Sequence, residues 1–111
     1  MAVKSESLNN DILSKLSHVR SLVFPKGDGE VFLFGSHARG DYREDSDWDI
    51  LVLTPQNINT QQDFDLWVSP FAELGWILDI EINPIQYSKQ DWNQKKGSEF
   101  YYNVMKDAIK I

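Results

Sequence analysis

Glu30-Val31-Phe32-Leu33-Phe34-Gly35-Ser36, followed ten residues later by Asp47-Trp48-Asp49-Ile50-Leu51-Val52-Leu53, decides the fold. Residues 30–34 form a short apolar run bounded by glycines, the pattern of a buried strand. After Gly35, Ser36 is placed to cap a short helix through His37-Ala38-Arg39-Gly40. Asp41 to Ser46 then reads as a charged loop, and Trp48 to Leu53 as a second strand that stops before Pro55. Asp47 and Asp49 stand two positions apart. Strand alternation therefore sends both carboxylates to one face and Trp48 to the other, into packing.

Working outward, Leu8, Ile12, Leu16 and Val19 recur near helical spacing and predict an amphipathic helix over roughly residues 6 to 20. Pro25-Lys26-Gly27-Asp28-Gly29 is a turn. Asn59-Thr60 is expected to cap a helix carrying Phe64, Trp67, Phe71 and Leu74. Pro70 falls inside that pattern and predicts a kink or a break, because it removes an internal hydrogen bond. Gly75 is expected to end the helix. Trp76 to Ile82 alternates as a third strand, with Ile77, Asp79 and Glu81 on one face and Trp76, Leu78, Ile80 and Ile82 on the other. Ser98 opens a last helix with Tyr101, Val104, Met105 and Ala108 inward. The order α, β, short α, β, α, β, α gives an α/β or α+β domain, a small sheet covered by helices with the two acidic strands side by side.

The chain has 111 residues, the length of one domain with its own core. Its 41% apolar content exceeds that of a disordered chain. No apolar run reaches the roughly 18 residues of a membrane span, and Met1-Ala2-Val3-Lys4-Ser5-Glu6 lacks the core of a signal peptide. Without cysteine there is no disulfide and no thiolate zinc site, so the expectation is a cytoplasmic protein that uses no membrane. The net charge of −6 argues against a nucleic-acid duplex as partner, since phosphate neutralisation needs a basic footprint. It is compatible with carboxylates held together by cations around a nucleotide, and equally with a surface charged only for solubility.

The paired carboxylates carry the chemistry. Two of them about 6–7 Å apart along a strand can share metal ions about 3.5–4 Å apart. Mg²⁺ suits such a site, because it accepts a few carboxylates together with phosphate oxygens and water. Asp79 on the third strand is the expected third ligand, favoured over Glu81, which also reads as a solvent-facing strand residue. Gly35-Ser36 opens a helix whose free N–H groups suit a phosphate. Ser36 can add its hydroxyl there and Arg39 a positive charge one turn on, although an ordinary N-cap explains Ser36 more simply, and loop solvation or pairing with Asp41, Glu44 or Asp45 would account for Arg39 and Arg43. Asp45-Ser46-Asp47-Trp48-Asp49 imitates a calcium loop, but the sixth and twelfth positions hold Ile50 and Gln56 instead of Gly and Glu. His18 and His37 have no evident Ser–Asp partners, so neither is assigned catalysis. A glycine turn for a triphosphate beside carboxylates for divalent metals points to nucleotidyl transfer.

These residues resemble a known family. Gly35-Ser36, ten residues, then Asp47-Trp48-Asp49 is similar to the G-S-x10-D-x-D signature of nucleotidyltransferases related to DNA polymerase beta. More narrowly, Phe34 to Asp41 and Ser46 to Val52 resemble the minimal nucleotidyltransferases, as do Asp79 to Ile85 and Phe100 to Val104. The resemblance implies a small mixed sheet with flanking helices and Mg²⁺-dependent transfer of a nucleoside monophosphate from a triphosphate, AMP from ATP in the antitoxins of this length, with pyrophosphate leaving. It implies Asp47, Asp49 and Asp79 as catalytic metal ligands and Gly35 and Ser36 as the phosphate cradle; the residue reading adds Arg39 to the nucleotide-binding set and a pair of metal ions to the carboxylates. It further implies an antitoxin whose partner is a HEPN-type toxin modified on a tyrosine hydroxyl. Two alternatives are an antitoxin that masks its toxin without catalysis, and transfer to a small molecule. Trp48 departs from the pattern, since the family more often has a small aliphatic residue there.

Overall fold

The computed structural model describes residues 2–111, with side chains from position 9 onward. Helix α1 (Ala2–Val23) leads into strand β1 (Glu30–Phe34), the one-turn helix α2 (Ser36–Arg39) and strand β2 (Trp48–Thr54). Helices α3 (Gln61–Trp67) and α4 (Ser69–Leu78) follow, then β3 (Ile82–Ser88), α5 (Lys89–Gln94), α6 (Glu99–Met105) and the short β4 (Ile109–Lys110). The strands form one mixed sheet in the order β3-β2-β1-β4, with β1 antiparallel to β2 and β4, and β2 parallel to β3.

Central position explains why β2 is so apolar. Flanked by a strand on each side, it is buried at every position except Asp49. One face of the sheet presents Val31, Leu33, Trp48, Ile50 and Val52 to Leu16 and Phe24 from the α1 side and to Phe71 of α4. The opposite face presents Leu51 and Leu53 to Trp92 of α5 and Val104 of α6. Burial of such side chains contributes about 1.5–3 kcal/mol each, so the sheet is fixed between two helical layers. Asp49 shares the α5/α6 face with Leu51 and Leu53 by alternation.

Helix α1 runs past the expected bounds on both sides; the expected contribution of Leu8 to its apolar stripe lies outside the described side chains. Pro70 does divide the following helical stretch. It lies in the first turn of α4, where its missing N–H costs no hydrogen bond. Thr60 caps α3 by accepting from the Asp63 N–H, and Ser98 caps α6 by accepting from the Tyr101 N–H.

The expected strand Trp76–Ile82 is overturned. Trp76, Ile77 and Leu78 are the last turn of α4, and Asp79 is its left-handed C-cap with φ 56°. Gly75 does not end the helix. It is buried in it, and a Cβ there would lie 2.8 Å from the Ile80 carbonyl and 3.2 Å from the Ile82 side chain. The third strand starts at Ile82 instead, as the outer strand of the sheet, which is where a proline such as Pro84 is tolerated. Neither α5 nor β4 was expected. No helix among the described residues is long and apolar enough to cross a membrane.

Candidate active site at the start of the central strand

The two ends of the decisive sequence stretch meet in space. Gly35 adopts φ 78°, a conformation L side chains rarely take, and serves as N-cap of α2. A Cβ on Gly35 would stand 2.5 Å from Asp49 Oδ2, so glycine is needed for closeness as well as for its backbone angle. Register explains the approach, because Phe34 at the end of β1 is paired with Asp49 at the start of β2. Ser36 is thus the first residue of α2 and not its cap, and Gly40 closes the turn by donating its N–H to the Ser36 carbonyl at 2.9 Å. The first N–H groups of a helix have no partner within it, and Gly35, the cap of this one, lies against the Asp49 carboxylate.

Asp47 is exposed and Asp49 half-buried. Burial pushes the Asp49 carboxyl above its ordinary value; the Asn83 hydrogen bond opposes that shift, and the neighbouring Asp47 charge adds to it. Asn83 Nδ2 donates to Asp49 Oδ1 at 3.4 Å, across the parallel register that pairs these two residues. The Trp48 N–H donates to the Glu81 carbonyl at 2.8 Å, so the ladder continues one step beyond β3. Glu81 precedes Asn83 by two, which places it at the same sheet edge as Asp47. Asp79, the expected third carboxylate, is on no strand: it sits at the exposed C-cap of α4. Among the described residues, no three His, Asp or Glu side chains gather closely enough to hold a metal ion. The structure brings together Gly35, Asp49 and Asn83, with Ser36 and Asp47 adjoining them in sequence.

Arg39 is engaged elsewhere. Its Nε donates to Asp41 Oδ2 and its Nη1 to Asp107 Oδ2, both at 3.1 Å. The hydrogen bond to Asp41, then that to Asp107, raises its pKa. The pairing with Asp41 was one of the sequence readings. Asp107 was not foreseen, since 68 residues separate it from Arg39.

Asn83 was also missed. Its signal was present, two residues past Glu81 in the alternation, but was hidden once the third strand was placed too early. His37, left without a role, has its ring stacked on Trp48 and Tyr42 with centroids 3.8 and 4.4 Å away. A cleft of about 480 Å³ lies on the α5/α6 face between Glu30, Leu53, Lys89, Trp92 and Tyr101. It is at the opposite end of the β1/β2 ladder, since Glu30 pairs with Leu53.

Residues 15–106 match the family described as "Nucleotidyltransferase domain". A relative from Methanocaldococcus jannaschii named "Putative protein adenylyltransferase MJ0604" is 36% identical over 79 residues, covering 71% of this chain and 73% of that protein. A second protein of that organism, "Putative protein adenylyltransferase MJ0141", is 41% identical over 59 residues, covering 53% of this chain and 59% of its own length. A solved structure described as that of a "putative minimal nucleotidyltransferase" superposes with a TM-score of 0.62 at 25% identity, covering 93% of this chain and 95% of that one.

Proposed function

Since the chain belongs to the nucleotidyltransferase domain family, we propose that it transfers AMP from ATP to a hydroxyl group of a partner protein. The observation that carries this is the contact between turn and strand: only glycine at position 35 lets the phosphate-facing turn lie against the Asp49 carboxylate. The names of the Methanocaldococcus jannaschii relatives support a protein as the acceptor.

The donor set fits magnesium. Asp47 and Asp49 would supply two anionic oxygen ligands at one strand end, and burial disfavours the ionised form of Asp49, a penalty a cation would relieve. When bound, Mg²⁺ neutralises triphosphate charge and acidifies an attacking hydroxyl. The chain's own part is positioning. The turn at Gly35 and Ser36 offers N–H groups and a hydroxyl to the phosphates, while Asn83 orients Asp49. For the third acidic position, the register favours Glu81 over Asp79, because Glu81 continues the ladder beside Trp48. Arg39 reaches a nucleotide only by leaving Asp41 or Asp107, so its part is secondary to the turn.

The sequence resemblance makes a HEPN-type toxin tyrosine the acceptor we favour, in the cytoplasm where ATP is at hand. Co-expressing the neighbouring reading frame and measuring its intact mass after incubation with ATP and Mg²⁺ tests this. One added AMP, absent with Asp49→Ala, is the expected result; an unmodified partner overturns it. Masking without catalysis draws on a separate observation, the Trp76 and Ile77 side chains, each 79% exposed at the end of α4. A double variant Asp47→Ala/Asp49→Ala that still silences the partner would favour masking.

A further inference from the structure

We propose that His37 is a positioning residue, tying the phosphate-facing turn to the loop and strand that carry Asp47 and Asp49. The inference rests on the nucleotidyl-transfer reading for its purpose, but on independent geometry for its substance. His37 is the second residue of α2, one position after Ser36. Its Nε2 lies 3.0 Å from the Ser46 carbonyl oxygen, and Ser46 immediately precedes Asp47. A carbonyl can only accept, so Nε2 carries the proton. Burial holds the imidazole below its usual value, although the Ser46 hydrogen bond and the two aspartates oppose this.

The ring is also clamped on both sides. Trp48 stacks at 3.8 Å with an interplanar angle of 12°, and Tyr42 at 4.4 Å and 19°. Tyr42 is the second residue of the loop that Ser46 ends, and Trp48 lies between the two aspartates. One side chain of the turn thus holds the start of the loop, its end and the strand residue between the carboxylates. Ser46 tightens the same loop internally, as its hydroxyl accepts from the Arg43 N–H at 2.7 Å and its own N–H donates to the Arg43 carbonyl at 3.0 Å.

A flat filler is the competing explanation, and the other ring nitrogen argues against it. Nδ1 is buried with no hydrogen-bond partner. A phenylalanine would stack in the same slot without leaving a polar atom unpaired, a state that is costly. What histidine adds is the Nε2–H bond to Ser46. The unusual Trp48 has its reason here too: it provides the platform on which His37 rests, so the bulky residue between the carboxylates couples strand to turn.

Three variants separate the possibilities: His37→Phe keeps the stack and loses the donor, His37→Gln keeps a donor of similar reach and loses the ring, and Asp49→Ala removes the carboxylate. Two quantities are read, the affinity for Mg²⁺ with AMP-PNP by calorimetry and amide hydrogen exchange over residues 43–47 in metal-free protein. For His37→Phe we expect faster exchange and affinity weakened about tenfold, the scale of one hydrogen bond, with the melting temperature preserved. His37→Gln should recover most of both. Unchanged exchange in His37→Phe overturns the proposal. Faster exchange with unchanged affinity overturns it as well, since His37 would then be a structural tie without bearing on the site. Wild-type affinity in Asp49→Ala would instead remove the transferase reading, leaving the exchange measurement to judge the tie by itself.

Discussion

The two ends of β2 share one ladder and differ in everything else. From Ile50 to Thr54 every side chain is buried, and helices cover both faces. At the other end Asp47 is exposed, Asp49 half-buried, and the neighbours are a glycine turn and an asparagine. The buried end seats the strand between β1 and β3, and that placement sets where the carboxylates emerge at the open end. The open end does the opposite, since it crowds two acidic groups where burial already disfavours charge on Asp49. Buried core and partly exposed carboxylates are thus segregated along β2 and the Asp47 that precedes it.

Breaking the open end should have the largest effect on function. Asp49→Ala is expected to lower AMP transfer on the order of a thousandfold or more while circular dichroism and the melting curve keep their form. Retained labelling of a partner protein would remove Asp49 from the reaction. Breaking the buried end should do the reverse. Leu51 is fully buried two residues on, so Leu51→Ala should cost about 2–5 kcal/mol in denaturant unfolding with transfer per folded molecule intact. Gly35→Ala touches the junction. It forces an L residue into a left-handed conformation against Asp49, at a stability cost of about 1–3 kcal/mol, and transfer should fall about a hundredfold through displacement of the carboxylate. A Gly35→Ala protein with wild-type rate would show that turn and strand need not touch.

The same segregation explains what was legible in the sequence. Residues 30–35 and 47–53 could be read because the local signals agreed with the fold: apolar runs, a glycine turn, and two acids at strand spacing; only the cap of α2 moved, from Ser36 to Gly35. The third strand was hidden by a real ambiguity. Trp76, Leu78, Ile80 and Ile82 alternate as a strand does, yet Trp76 and Leu78 belong to a helix whose C-terminal end leaves Trp76 and Ile77 largely exposed. Gly75 looked like a stop signal, but it is a point of close packing against Ile80 and Ile82. Pro84 is accommodated in β3 because an outer strand has a side that needs no N–H donor. The contacts of Arg39 with Asp107 and of His37 with Ser46 depend on tertiary approach, which neither spacing nor composition encodes.

The mildest test sharpens the comparison most directly, because it predicts a gain. Burial raises the folded-state value of Asp49 above the ordinary 3.8, with Asp47 adding to the shift. The folded chain therefore holds that proton more tightly than the unfolded chain does, and stability falls as pH rises from the unfolded value through the folded one. Above the folded-state value the metal-free wild type carries this penalty in full. Asp49→Asn removes the charge and keeps a carbonyl oxygen to accept from Asn83, so it should melt at a higher temperature than wild type at pH 7. The gap should narrow as pH falls and close below the carboxylate range, where Asp49 is itself neutral. Adding Mg²⁺ with AMP-PNP should then raise the melting temperature of wild type alone, because binding to the folded state stabilises only a protein that binds. If metal-free Asp49→Asn melts lower at pH 7, the open end of β2 is no electrostatic burden, and the division between its two ends is one of exposure alone.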